Sequence, residues 1–435
     1  MNKTNYNQTL DELFTLQKFS IKMGLDHITH LCQFLGNPQR TFPSIHIAGT
    51  NGKGSTSIMI QEILAAHGLQ SGLYTSPHLT DFRERIRINK QLIEADFITD
   101  LWGKVKSEVY GSQATFFDTT TAMAFEYFHE KKVDIAVIET GLGGRLDSTN
   151  IIQPVAVVIT PIDIDHIPQL GSELEGIAAE KAAIIKEGST LFYAEQFPQV
   201  EKVLLEYSER IQARYHLPEV IAYHIYSCSP QGTIFDFTDK LRQENFSGLR
   251  LNLLGEFQVR NALLAYLCAR WYLDERNLKF SADFLSQVYD HIYWPGRLDR
   301  ISQQPLIYFD VSHNFAGFKT TCDFIRANYT SDSALLLLGL LADKEYERIV
   351  QLVVNYFERI VVTEPVNDRK LPAEILSRLF EQKGKRVMLI RDPDQAFDFC
   401  LDHMSTREVL FVMGSHFLTG ELYKRLNEKS LTYRK

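Results

Sequence analysis

Along this chain, short apolar runs alternate with stretches in which apolar residues recur every three or four positions. The first kind reads as buried strands and the second as amphipathic helices. Their alternation predicts parallel sheets covered by helices. Strands are expected at 44–48, 133–139 and 155–159. Helices are expected at 55–67, 119–128, 173–186, 200–214 and 258–273. In the first of these, Ile58, Ile60, Ile63 and Leu64 are candidate buried positions and Gly68 the stop; Gly188 closes the 173–186 helix. A break falls at Tyr293-Trp294-Pro295-Gly296, because Pro-Gly is strong turn punctuation. Beyond it a fresh alternation places strands at 306–311, 334–338, 359–363, 387–390 and 409–413.

The fold class is therefore α/β. An N-terminal domain over 1–294 carries a mostly parallel sheet, and a smaller, doubly wound, Rossmann-like α/β domain covers 295–435. A chain of 435 residues exceeds what one compact core serves, which agrees with two domains. Hydrophobic content of 45% and charged content of 23% are those of a soluble globular protein. A net charge of −8 argues against broad nucleic-acid or membrane-surface binding, and leaves room for a local basic site. Cys32, Cys228, Cys268, Cys322 and Cys400 are far apart and form no C-x-x-C, so neither a zinc site nor a disulfide framework is expected. The start of the chain lacks the apolar core of a signal peptide, and no apolar run is long enough to span a bilayer. A cytoplasmic protein is expected.

The most informative stretch is Ile45-His46-Ile47-Ala48-Gly49-Thr50-Asn51-Gly52-Lys53-Gly54-Ser55-Thr56-Ser57. It reads as strand, glycine-rich loop with lysine, then helix. Loop N–H groups and a helix N-terminus face an anion in such an arrangement, and Lys53 adds a point charge. The spelling is a variant of the common phosphate loop. Ile47 stands where the first glycine belongs, and Gly54 separates Lys53 from Ser55.

Other polar clusters sit where strands end, the usual place for sites in open α/β sheets. Glu139-Thr140-Gly141-Leu142-Gly143-Gly144-Arg145-Leu146-Asp147 offers glycines for close backbone approach and a hard oxygen ligand in Glu139; a solvated or capping glutamate is the alternative. Asp163, Asp165 and His166 end the next strand and serve a metal, a substrate or a structural turn; His166 is an unusual magnesium ligand. Lys181, taken alone, reads as a solvated helical lysine. Asp310 and His313 bind or orient a charged group, or the segment is an ordinary helix start capped by Ser312 or Asn314. Arg297 reaches phosphates or lies on the surface. Asn261 bonds a nucleotide base or is a helix-surface amide.

Together these segments resemble the folylpolyglutamate synthase / dihydrofolate synthase family, relatives of the Mur amide ligases. The resemblance runs from roughly Phe19 to Gly420. It is most specific at Gly49–Ser55, at Glu139-Thr140-Gly141-Leu142-Gly143-Gly144-Arg145-Leu146-Asp147-Ser148-Thr149-Asn150 and at Glu180-Lys181-Ala182-Ala183-Ile184-Ile185-Lys186. It implies an N-terminal ATPase domain, a C-terminal Rossmann-like domain and an active site between them. Thr50, Asn51, Gly52, Lys53, Gly54 and Ser55 would hold the triphosphate of ATP. Asn261 would contact the base, and Arg297 and Asp310 the nucleotide. Ser76, Glu139 and His166 would hold Mg2+. Lys181 would be carboxylated on its amine, and His313 would help position the incoming glutamate. Thr115, Asp118, Leu146 and Asp147 would contact the pterin.

The chemistry so implied is ATP-dependent. The γ-phosphoryl group passes to the glutamate carboxylate of a folate, and the amine of L-glutamate attacks the acyl phosphate. Folate or dihydropteroate and L-glutamate would be the substrates of a monomer. Two departures touch the substrate side: Phe257 in Gly255-Glu256-Phe257-Gln258 replaces a frequent histidine, and Asp118 replaces a frequent glutamate. The rival readings are a Mur-type peptidoglycan ligase, a phosphate-loop ATPase that switches without ligating, and a silent binding module. Gly54 and the Leu142–Asn150 run oppose the first. A second Rossmann-like domain opposes the second, and intact Lys53, Glu139 and Asp310 oppose the third.

Overall fold

The computed structural model describes residues 3–16 and 24–428. Phe19, where the resemblance begins, lies outside them. By contact density the chain divides into two units. One is Met1–Ala222 with Asp239–Gln243 and Arg260–Val288; the other is Tyr223–Thr238 with Glu244–Val259 and Tyr289–Lys435.

The first unit is built on an eight-stranded sheet. Its strands are β1 (Ser44–Ala48), β2 (Ser71–Tyr74), β3 (Ile86–Ile88), β4 (Gln91–Leu92), β5 (Ile135–Glu139), β6 (Ala156–Ile159), β7 (Thr190–Tyr193) and β8 (Arg214–His216), in the order β4-β3-β2-β5-β1-β6-β7-β8. From β2 to β8 the neighbours are parallel; β3 and β4 turn back antiparallel at one edge. Its helices are α1 (Lys3–Thr15), α2 (Asp26–Phe34), α3 (Lys53–Ala66), α4 (Ala95–Ser112), α5 (Phe116–Glu130), α6 (Ile167–Leu170), α7 (Leu174–Ala182) and α8 (Pro198–Arg210). The central strands β1, β5 and β6 are buried throughout, as expected of strands covered on both faces. Register sets Ile47 beside Glu139 and Ala48 beside Ile159. The loops leaving β1, β5 and β6 therefore emerge side by side at one edge of the sheet.

Two expected helices end early. The 173–186 pattern stops as α7 at Ala182, although Ala183, Ile184 and Ile185 stay buried. The last turn tightens, with Ile184 N–H on Lys181 O and Ile185 N–H on Ala182 O. Asn150 Nδ2 and Lys186 Nζ take the Ala183 carbonyl. The 200–214 pattern stops at Arg210. Gln212 adopts φ +56, and the chain runs on into edge strand β8.

The second unit holds strands that the periodicity did not reveal: β9 (Ile221–Ser229), β10 (Gly232–Asp239) and β11 (Glu244–Leu251), ordered β11-β10-β9. β10 alternates buried and half-buried positions over most of its length, the period of a half-buried strand. Next come α9 (Glu256–Glu275), which begins in this unit and continues in the first, and α10 (Ala282–His291), which lies in the first unit as far as Val288. The remainder is a six-stranded sheet: β12 (Asp299–Gln303), β13 (Leu306–Asp310), β14 (Ala334–Leu338), β15 (Arg359–Val362), β16 (Val387–Leu389) and β17 (Val409–Met413), ordered β12-β13-β17-β14-β15-β16. All its pairings are parallel except the edge pair β12–β13. Its helices are α11 (Phe315–Asn328), α12 (Tyr346–Val353), α13 (Ala373–Gln382), α14 (Pro393–His403) and α15 (His416–Glu428). The expected doubly wound sheet is present, with β12 as an added strand.

Gly144 shows how tightly the first unit is fitted. A methyl group there would strike the backbone of α7, at Glu180 O and, at 3.0 Å, Lys181 Cα. Gly144→Ala is expected to lower stability by about 1–3 kcal/mol, read as an earlier urea midpoint. An unchanged midpoint contradicts this close fit.

Candidate functional site

The loop after β1 is shaped by two glycines. Gly49 (φ +148) has no room for a side chain against Thr160, and Gly52 (φ +90) would place a Cβ 2.6 Å from Asn261 Oδ1. Glycine meets both demands. Thr50 ties the loop to the segment after β6: its hydroxyl donates to Asp163 O (2.8 Å) and accepts from Asp163 N–H (3.0 Å). The N–H groups of Thr50 and Asn51 point to Pro161 O. Helix α3 then starts at Lys53, and Gly52 before it offers no side-chain cap. The positive end of the helix dipole thus lies at the loop, beside Asn261 on α9.

Two lysines converge on one backbone oxygen. Lys53 Nζ donates to Gly49 O and Thr50 O, both at 3.3 Å, and Lys181 Nζ donates to Gly49 O at 2.9 Å. Lys181 is only 4% exposed. This corrects its reading as a solvated lysine. Helix α7 packs against Gly144, whose missing side chain lets the Lys181 turn approach the sheet edge. Burial, and then the charge of Lys53, bring the Lys181 amine down to about 7; Asp165, Asp147 and Glu180 oppose the shift. At neutral pH a substantial fraction of this amine is uncharged and nucleophilic.

Glu139 ends β5 and is buried, not solvated. Its Oε2 accepts from Ser76 N–H at 3.2 Å, so the structure brings these two expected ligands together. The charge of buried Arg85 also acts on Glu139. Arg85 Nε donates to His78 Nδ1 (2.8 Å), and the guanidinium lies over the Phe116 ring. His166 adopts φ +55, with its N–H on Asp165 Oδ1 at 2.8 Å and its ring half-exposed. Among the described residues no group of three or more His, Cys, Asp or Glu is disposed to hold a metal. Magnesium arriving with a nucleotide needs only one or two protein carboxylates, because phosphate oxygens and water supply the rest. The buried carboxylate of Glu139 fits that requirement.

Thr115 and Asp118 form a reciprocal capping box at the start of α5, and Ser148 Oγ donates to Asp118 Oδ1 at 2.6 Å. Asp147 accepts from Leu142 N–H (2.8 Å) and Thr149 N–H (3.0 Å), and Thr149 Oγ1 also meets His46 Nε2. Burial raises the Asp147 carboxyl pKa. Both aspartates therefore shape the glycine-rich loop, and half-buried Leu146 lies between Arg145 and Asp147. Asn261 is buried, not a helix-surface amide.

In the second unit, Asp310 ends β13 and is buried. It accepts from Leu298 N–H (2.8 Å), Ser312 N–H (2.9 Å) and Thr321 Oγ1 (3.3 Å). Arg297 is half-buried. Asn314 caps α11 through Gly317 N–H, so the capping alternative is realised for that residue. His313 Nδ1 meets Val311 O, and its ring lies 5.7 Å from that of His416. Arg85 and His416 were not singled out in the sequence. His416 follows the last strand, and a polar residue just past a strand was its available signal, whereas Arg85 stands just before β3 and carried no such signal.

Comparison with known proteins places this architecture. Residues 47–269 match the Mur ligase middle domain and residues 296–416 the Mur ligase glutamate ligase domain, so the class is that of the Mur ligases. The dihydrofolate synthase/folylpolyglutamate synthase of Bacillus subtilis is 33% identical over 418 residues, 94% of this chain and 96% of the relative. The folylpolyglutamate synthase of Lacticaseibacillus casei is 32% identical, over 88% of this chain and 90% of the relative. The structure of Mycobacterium tuberculosis folylpolyglutamate synthase complexed with ADP superimposes with a TM-score of 0.87 at 29% identity, covering 97% of this chain and 98% of that one. The chain belongs to the folylpolyglutamate synthase / dihydrofolate synthase family.

Between about 7 and the usual 10.5, the folded state binds fewer protons at Lys181 than the unfolded chain does, so this group's contribution to stability rises with pH across that window. A pH titration of carbon-13-labelled lysine side chains is expected to show one resonance, absent from Lys181→Arg, with a midpoint at about 7. A set of midpoints all near about 10.4 contradicts the burial argument.

Proposed function

We propose that this protein joins L-glutamate to the γ-carboxylate of tetrahydrofolates at the expense of ATP, through an acyl phosphate. The observation that carries the reading is the convergence of Lys53 and Lys181 on Gly49 O, at the head of a glycine-shaped loop and a helix N-terminus. The names of the B. subtilis and L. casei relatives support the substrate class.

In this reading Thr50–Ser55 cradle the triphosphate and Lys53 neutralises the transferring phosphoryl group. Asn261, beside Gly52, serves the nucleotide, as do Arg297 and Asp310. A folate carboxylate oxygen attacks the γ-phosphorus, ADP leaves, and the amine of L-glutamate displaces phosphate from the acyl carbon. His313 positions that glutamate. Thr115, Asp118, Leu146 and Asp147 border the pterin. Ser76, Glu139 and His166 are assigned to magnesium, which when bound spreads the phosphate charge. The uncharged Lys181 amine is the form that adds carbon dioxide and loses a proton, giving a carbamate. Residues 1–294 act as the ATPase domain and 295–435 as the glutamate ligase domain of a cytoplasmic monomer. No described helix is long and apolar enough to cross a membrane.

The test is ATP-dependent glutamate incorporation with tetrahydrofolate and dihydropteroate offered separately. Incorporation into tetrahydrofolate is expected. Incorporation into dihydropteroate as well adds dihydrofolate synthase activity. ATP hydrolysis with neither acceptor used contradicts the reading. Lys53→Ala is expected to lower kcat by about 100- to 1,000-fold, and full activity in Lys181→Ala removes the carbamate assignment.

A further inference from the structure

Arg297 sits in a short segment whose backbone is held on both sides. Before it, Gly296 N–H faces Tyr423 OH at 3.2 Å, and Gly296 O accepts from Val311 N–H at 2.9 Å. After it, Leu298 N–H donates to Asp310 Oδ2 at 2.8 Å. Gly296 (φ +72) and Leu298 (φ +47) are both left-handed, a conformation that a leucine keeps only where its surroundings impose it.

Behind this segment lies a buried carboxylate with two phenols. Tyr293 OH donates to Asp299 Oδ2 at 2.7 Å, and Tyr423 OH donates to the same oxygen. The Tyr423 ring stands edge-on to Phe309, 4.9 Å between centroids, which fixes its position on α15. Tyr423 OH thus joins Asp299 and the Gly296 N–H, and so ties β12 to the turn that carries Arg297. Burial pushes the Asp299 carboxyl up to about 6, so at neutral pH its ionised form costs folding free energy. A buried charge of this kind adds little to stability, and well-packed apolar residues would commonly replace it without loss. Fixing a conformation is the use that remains.

We propose that Asp299, Tyr423 and Tyr293 form a positioning cluster that holds the Pro295–Leu298 turn, and through it the anchorage of Arg297 for the nucleotide. This rests on the reading of Arg297 as a nucleotide-binding residue. The three act through Arg297 and are not themselves catalytic.

The test measures KM for ATP, KM for glutamate, kcat and thermal midpoint for Tyr423→Phe, Tyr293→Phe, Asp299→Asn, Arg297→Ala and the double variant Tyr423→Phe/Arg297→Ala. Loss of one hydrogen bond to a charged group corresponds to about a tenfold change. Tyr423→Phe is expected to raise the ATP KM by about that factor, with the glutamate KM unchanged. The double variant is expected to be no worse than Arg297→Ala alone, because coupled residues are not additive. If Arg297→Ala raises the ATP KM while Tyr423→Phe and Asp299→Asn leave it unchanged, the positioning cluster is overturned and the nucleotide reading survives. Parallel rises in both KM values, or additive losses in the double variant, also overturn it. An ATP KM unaffected by Arg297→Ala overturns the reading and the proposal together. Should Asp299→Asn fail to fold, Tyr423→Phe, which keeps the ring, decides the matter.

Discussion

Two ammonium groups share the carbonyl oxygen of Gly49, and the rest of the first unit is arranged around that constraint. A neutral carbonyl cannot balance two cations. The repulsion, added to burial, lowers the affinity of Lys181 for its proton. An anion beside either amine relieves the conflict. A phosphate group beside Lys53, or the carbamate proposed for Lys181, would supply such an anion.

The convergence depends on packing well away from the lysines. Parallel pairing aligns the ends of β1, β5 and β6, which brings Gly49, Glu139 and Thr160 to one edge. His46 on β1 meets Thr149, which meets Asp147, which holds Leu142 in the glycine-rich loop. Gly144 of that loop admits α7, and α7 carries Lys181. Asp147 is thus a link between the central strand and the lysine helix.

The strand–loop–helix at 44–66 was legible because close-set glycines directly after a buried apolar run mark a tight loop, and strands 44–48, 334–338 and 409–413 appear as expected. The burial of Lys181 was not legible. Lys181 shares a face of α7 with buried Ile177 and Ala178, but a lysine on that face can still reach solvent with its amine; the close approach that encloses it depends on the absent side chain of Gly144, remote in sequence. The early end of α7 was hidden for a related reason: Ala183, Ile184 and Ile185 are buried outside the helix just as they would be inside it, so the apolar pattern ran on. Strands β9–β11 were missed because their exposed positions include Tyr223 and Tyr226, which blur the alternation. The Asp299–Tyr423 contact joins residues more than a hundred positions apart and has no local signature.

The central claim is that these residues activate a carboxylate by phosphoryl transfer. Oxygen-18 placed in the γ-carboxylate of the folate tests it most directly, by mass analysis of the phosphate released on glutamate addition. The account predicts that one labelled oxygen passes to phosphate in each turnover, because the acyl–oxygen bond breaks when the amine displaces phosphate. Glutamate addition with unlabelled phosphate would contradict it.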